Sequence, residues 1–246
     1  VTQQNYATAH SKVAQCGSIV SLPTRKFDYG RDVLKLIAIT TMAMDHAGDI
    51  LYPDWLALRL IGRLAFPLFA YLVALGVEST RSPKKYLATL FIFALISQVP
   101  YFLAFGIQPF ERFNILFSLL LGALTIYFFN KRSLLSIVPA LLSILLNTEG
   151  NIYAVLTVAC MKLLNGNPPL GFLALLALNS PFLLTSDPQV FSLFAVPIII
   201  LHAKGVLKKE TIIPESSRTY LIRKYVFYAF YPAHLAVLFL IKLFFF

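Results

Sequence analysis

From Asp32 onward, long apolar runs alternate with short breaks carrying Pro, Gly, Asn or charge. Roughly 20 mostly apolar residues cross a bilayer as one helix, and breaks of this kind punctuate the interfaces. The pattern predicts nine transmembrane helices, at about residues 33–51, 56–78, 84–105, 113–129, 133–147, 151–165, 169–184, 189–203 and 220–243. The fold class expected is all-α, a polytopic transmembrane helix bundle with a cytoplasmic N-terminus. Residues 33–246 form one membrane domain in this reading, and residues 1–32 a polar cytoplasmic tail. Several central runs are short, so eight spans with one re-entrant segment is the alternative count. The polar segment from Val1 to Gly30 lacks the apolar core of a signal peptide, and insertion is expected to begin from the first span. No internal repeat of fixed period is visible.

Composition strengthens the membrane reading. The chain is 58% hydrophobic and 13% charged, with a mean hydropathy of +0.75. A soluble domain of 246 residues cannot hide that much apolar surface from water. The net charge of +10 comes from 21 Lys and Arg against 11 Asp and Glu. In a soluble protein that balance would point to nucleic acid. Here no basic run is interleaved with aromatics as a stacking platform needs, so no nucleic-acid partner is expected. The bias instead sets topology. With the N-terminus in the cytoplasm, only Arg59, Arg63, Arg112 and Lys242 of the 21 basic residues lie on or near the other face, which leaves 17 inside. Cys16 and Cys160 have no neighbour at metal-ligand spacing and imply no disulfide framework, and no metal is expected.

Ionisable residues inside spans cost several kcal/mol and mark function by default. Asp45, His46 and Asp49 lie near the outer end of the first span. Asp45 and Asp49 are four apart and His46 is three before Asp49, so one helix flank carries all three. A carboxylate beside an imidazole fixes its tautomer and raises its basicity, as a general base requires. Arg59 and Arg63 open the second span, Glu111, Arg112 and Asn114 the fourth, and Glu149, Asn151 and Tyr153 the sixth, all at the same outer level. For the arginines, pairing with the first-span carboxylates or with a substrate anion is weighed against snorkelling to lipid phosphates. His234 stands about midway along the last span, just after Pro232. Ser97 and Gln98 read as buried polar glue. There is no phosphate-cradling Gly-rich loop, zinc helix or nucleophile elbow. The chemistry to which these residues point is base-assisted group transfer, with His46 as the base.

The segments LKLIAITTMAMDHAGDILYP and LRLIGRLAFPLFAYLVALG resemble the opening of the TraX family. KKYLATLFIFALISQVPY, FNILF at 113–117 and the terminal FYAFYPAHLAVL resemble later blocks in family order. The most specific is Gly62 to Tyr71, whose Gly-Arg and Phe-Pro placements apolar composition alone would not generate. The resemblance implies an inner-membrane acetyltransferase linked to conjugation, which acetylates the N-terminal amine of processed pilin. It is also similar to wider multispan acyltransferases that use acyl-CoA to modify sugars. It implies acetyl-CoA as cosubstrate, pilin or a pilin-like protein and membrane lipid as partners, and a site facing away from the cytoplasm. By motif position it implies catalytic roles for His46 and Asp45. Asp49, Arg63, Arg112, Asn114, Glu149 and His234 are expected as substrate, oxyanion or structural support. The cytoplasmic basic loops, especially 204–224, are weighed as a seat for CoA phosphates against simple topology. Two other classes compete: an acyltransferase acting on a cell-surface sugar, and a small transporter, which would also line a cavity with charges at one depth.

Overall fold

Helix signals lie at most of the predicted breaks in this computed structural model, which describes residues 24–207, 210–214 and 216–245. Strand β1 (Thr24–Asp28) leads into α1 (Tyr29–Ile50), with the Asp28 carboxylate accepting from the Arg31 amide as N-cap. Next come α2 (Leu56–Gly62), α3 (Ala65–Ser79) and α4 (Pro83–Phe105). Helix α4 begins on a proline and ends at Gly106, whose φ of 67° closes the turn. The Asn114 side chain caps α5 (Ile115–Asn130). A 3-10 turn (Leu134–Ile137) precedes α6 (Val138–Leu145), followed by α7 (Asn151–Gly166) and α8 (Pro168–Leu184), the last capped by Asn167. A second 3-10 turn (Pro188–Phe194) runs into α9 (Ala195–Ala203). Strand β2 (Glu210–Pro214) pairs antiparallel with β1, from Thr24 opposite Pro214 to Asp28 opposite Glu210, ahead of the long α10 (Ser217–Phe245).

Among the described residues the architecture is thus helical apart from one two-stranded ribbon. Each of the nine apolar stretches is helical, α2 and α3 together filling the second. Among the described residues, three helices are long and apolar enough to cross a membrane: Leu56–Ser79, Pro83–Phe105 and Arg218–Phe245. All nine stretches are helical, and these three have the length and composition of full spans. Ile115–Asn130, Leu134–Leu145, Pro168–Leu184 and Pro188–Ala203 are apolar but shorter. Helix α1 is long enough but carries Arg31, Asp32, Lys35, Asp45 and Asp49. Most of the expected polar tail lies outside the described residues; its last part, 24–32, forms β1 and the first turn of α1.

Helix α3 is the hub, packing against α1, α5, α7 and α9, while α10 lies along α4 and α1. The core around α3 includes Leu68, Tyr71 and Ala74, with Val158, Met161 and Ile199 from its neighbours. Large apolar side chains such as Ile92, Leu95 and Val99 on α4 stay exposed, a surface suited to lipid. Polar groups gather at the two ends. At one, the loops around 106–114 and 146–150 are joined by Phe113 N–H to Asn147 O (3.3 Å) and Glu149 N–H to Phe113 O (2.8 Å). At the other, His202 of α9 meets Asp28, and Asn165 of α7 donates to Glu78 of α3 (3.2 Å).

Candidate functional site

The first of these ends holds a pair of histidines, His46 buried and His234 half-buried. His46 Nδ1 lies 2.7 Å from His234 Nε2, and His234 Nδ1 lies 2.8 Å from the Phe230 carbonyl. The rings are within 4° of parallel with centroids 5.0 Å apart, the separation of two imidazoles joined edge to edge in one plane. A carbonyl can only accept, so His234 Nδ1 carries a proton. With both rings neutral, His234 Nε2 is then an acceptor and His46 Nδ1–H its donor. The proton pattern leaves a lone pair on His46 Nε2, which forms no hydrogen bond among the described residues. Phe105 stands edge-on to His46 at 5.5 Å, Tyr231 lies 6.0 Å away, and Phe230 stacks on His234 at 4.9 Å.

The partner of His46 is therefore His234, not a neighbouring carboxylate. Successive side chains on a helix diverge by about 100°, which turns Asp45 away from its neighbour's imidazole. Asp45 Oδ1 lies 3.8 Å from Arg59 Nη1 and 3.7 Å from Arg63 Nη2, and Asp49 pairs with Arg59 at 2.9 Å. Two glycines allow this approach. A Cβ on Gly62 would fall 2.3 Å from Asp45 Cβ, and one on Gly48 would fall 2.9 Å from Leu58 Cβ. The Gly-Arg step of the 62–71 segment thus brings α2 against α1 and sets its arginine beside the carboxylate.

The other expected residues divide into two groups. Arg112 and Glu149 line a polar cavity of about 260 Å³ together with Asp49, Tyr101, Phe105 and Lys242. Phe105 connects that cavity to the His46 ring. Glu149 sits in the loop between α6 and α7, and burial, with the Asp45 charge adding to it, pushes its carboxyl up to about 7 against the pull of Arg112. Asn114 is fully buried and committed within the fold. Its amide donates to Ala94 O and to Gln98 Oε1, both at 2.8 Å, and its oxygen caps α5. Gln98 in turn donates to Arg112 O at 2.8 Å and so shapes the cavity rim, the polar glue expected of it.

Four buried polar atoms here lack a hydrogen-bond partner among the described residues: Asp45 Oδ1, Arg63 Nε, Glu149 Oε2 and Tyr231 Oη. Such groups are rare in folded proteins, and a catalytic role is one of the few reasons they persist. Tyr101 and Tyr231 escaped the sequence reading because a tyrosine in an apolar run looks like packing. The opposite end also holds a cluster that the pattern did not reveal. Tyr71 Oη lies 3.0 Å from His202 Nδ1, and His202 Nε2 lies 3.4 Å from Asp28 Oδ2. His202 closes the run AVPIIILHA, where a histidine reads as an ordinary helix end.

A helical bundle that leaves apolar side chains exposed and joins two histidines beside charges defines a membrane-protein class with a polar site. Within it, the family described as TraX protein matches residues 30–242, and the chain belongs to that family. The chain is 27% identical to a probable fimbrial assembly protein FimC, serogroup H1, of Dichelobacter nodosus, over 90% of this chain and 99% of that protein. It is 36% identical to Protein TraX of Escherichia coli K12 over 42% of this chain and 41% of that protein. An uncharacterised protein of Rickettsia prowazekii is 35% identical over 41% of this chain and 38% of its own length. No solved structure matches.

Proposed function

We propose that this protein is a multi-pass inner-membrane acetyltransferase of pilus biogenesis, transferring acetyl from acetyl-CoA to the N-terminal amine of processed pilin. The observation that carries the reading is the coplanar His46–His234 pair. A base must hold a lone pair toward the substrate and must be steadied when it takes a proton. His46 Nε2 meets the first need, and the Nδ1–H···Nε2 bond to His234 meets the second. The amine nitrogen attacks the thioester carbonyl while His46 takes its proton. The tetrahedral oxyanion draws on the Arg63 guanidinium, the C–S bond breaks, and the proton leaves on the CoA thiol. One amide forms for each thioester lost.

Membership of the TraX family and the name of the fimbrial assembly relative support a pilin acceptor. An apolar groove of about 400 Å³ along α1, lined by Thr40, Ala43, Ala47, Leu58 and Phe230, offers a helix-borne acceptor an approach from the lipid. In this reading the nine helical stretches alternate across the membrane. The ends bearing His46, Arg63, Arg112 and Glu149 face away from the cytoplasm, in keeping with the 17 basic residues assigned inside. Mass spectrometry of pilin from cells carrying the wild-type protein or His46→Ala tests the proposal. Loss of N-terminal acetylation in the variant is expected, and unchanged acetylation would remove His46 from the mechanism.

A further inference from the structure

Arg63 is held from behind by side chains that lie outside the histidine site and its polar cavity. Its Nη1 donates to Gln189 Oε1 at 3.3 Å, from the 3-10 turn ahead of α9. Gln189 Nε2 donates to Tyr153 Oη of α7 at 3.2 Å, and Tyr153 Oη donates to Asn179 Oδ1 of α8 at 3.1 Å. Asn179 Nδ2 ends the chain on the Leu175 carbonyl at 2.8 Å, while Ser192 Oγ also donates to Asn179 Oδ1 at 3.3 Å.

The links from Arg63 to Tyr153 each have one direction. A guanidinium only donates, so the Gln189 oxygen must face Arg63 and its NH₂ must face Tyr153. The Tyr153 hydroxyl, having accepted there, has Asn179 Oδ1 as its nearer acceptor at 3.1 Å and Ser192 Oγ as a second neighbour at 3.5 Å. The Asn179 NH₂ is left for the helix carbonyl. The far end is rigid: Asn179 is 1% exposed, and the Tyr153 ring is wedged between Phe182 at 5.1 Å and Phe66 at 6.1 Å. With Nη1 fixed by Gln189 and Nη2 turned to Asp45, the buried Nε–H of Arg63 has no partner among the described residues.

We propose that Gln189, Tyr153 and Asn179 are positioning residues that lock the Arg63 guanidinium so its Nε–H meets the acyl oxygen during transfer. This use of the donor rests on the acyl-transfer reading; the locking itself does not. The path from the charged head to the helix backbone is unbroken and leaves one donor open.

Two measurements on the full-length protein in micelles decide the matter. The first follows hindered rotation of the Arg63 guanidinium by NMR of ¹⁵N-arginine-labelled protein, its signal assigned by its loss in Arg63→Lys. Tyr153→Phe keeps the ring but cuts the chain, and Gln189→Ala cuts it at a partly exposed turn. Both are expected to free the rotation, and unchanged restriction in both overturns the locking. The second follows acetyl transfer from acetyl-CoA to the pilin N-terminus. Tyr153→Phe is expected to lower kcat about tenfold with KM for acetyl-CoA unchanged, the upper end of the scale for losing one neutral hydrogen bond. Tyr153→Phe combined with Arg63→Lys should be no slower than Arg63→Lys alone. Multiplying losses would show Tyr153 acting independently of Arg63 and overturn the proposal. Should the wild-type protein transfer no acetyl at all, the acyl-transfer reading falls, and the NMR arm still decides whether Arg63 is locked.

Discussion

His46 and His234 are 188 residues apart in sequence yet share one hydrogen bond, so neither ring can be understood alone. His234 accepts from His46 only because the Phe230 carbonyl holds the proton on its other nitrogen. His234→Phe removes that acceptor, and kcat is expected to fall about 10²-fold with KM little changed. His234→Gln, which keeps an acceptor, should recover part of the loss. Steady-state kinetics on the two variants makes the comparison. Glu149 gives a prediction of a different kind, because its carboxyl is pushed from 4.5 up to about 7. The folded protein then binds the Glu149 proton more tightly than the unfolded chain. Its stabilising contribution is complete below about 4.5 and is lost as pH rises through about 7. Thermal unfolding in detergent should therefore show a midpoint falling between these pH values, and Glu149→Gln should flatten that part of the profile.

At the scale of elements, the close approach of α1 and α2 decides where the charges sit. A methyl group at Gly62 would overlap Asp45, with no flexible chain end to yield. Gly62→Ala is expected to destabilise the bundle by about 1–3 kcal/mol. Gly166→Ala at the end of α7, where nothing lies within 4 Å, should stay within about 0.5 kcal/mol of wild type. Denaturation midpoints of the two variants test the contrast. The helices themselves were legible in the sequence, since each of the nine apolar stretches is helical. Their lengths were less so. The 3-10 turns after Ser133 and Asp187 shorten two of them, and hydropathy carries no signal for a change in helix pitch. The pairing of Asp45 was partly legible. Its arginine partners followed from charge and level, whereas the expected pairing with His46 did not form, because adjacent helical side chains diverge.

At the scale of the molecule, the bundle has two polar ends, of which the sequence revealed one. The level of Asp45, Arg63, Arg112 and Glu149 emerged from alternating the runs and counting basic residues. The Asp28–His202–Tyr71 cluster did not, because it joins three distant elements through residues that each look ordinary in place. The Gln189–Tyr153–Asn179 path stayed hidden for the same reason. Orientation is open to direct test. In intact spheroplasts of a strain carrying the protein with its own cysteines replaced, a membrane-impermeant maleimide should label Asp54→Cys and Asp187→Cys but spare Lys131→Cys. The most direct test of the central claim is acetyl transfer by the purified protein, measured as CoA thiol released and acetylated pilin N-terminus formed from acetyl-CoA. Equal amounts of the two products are expected with the wild-type protein, and neither above background with His46→Ala. Undiminished transfer by His46→Ala, or thiol release with no acetylated amine, would contradict that claim.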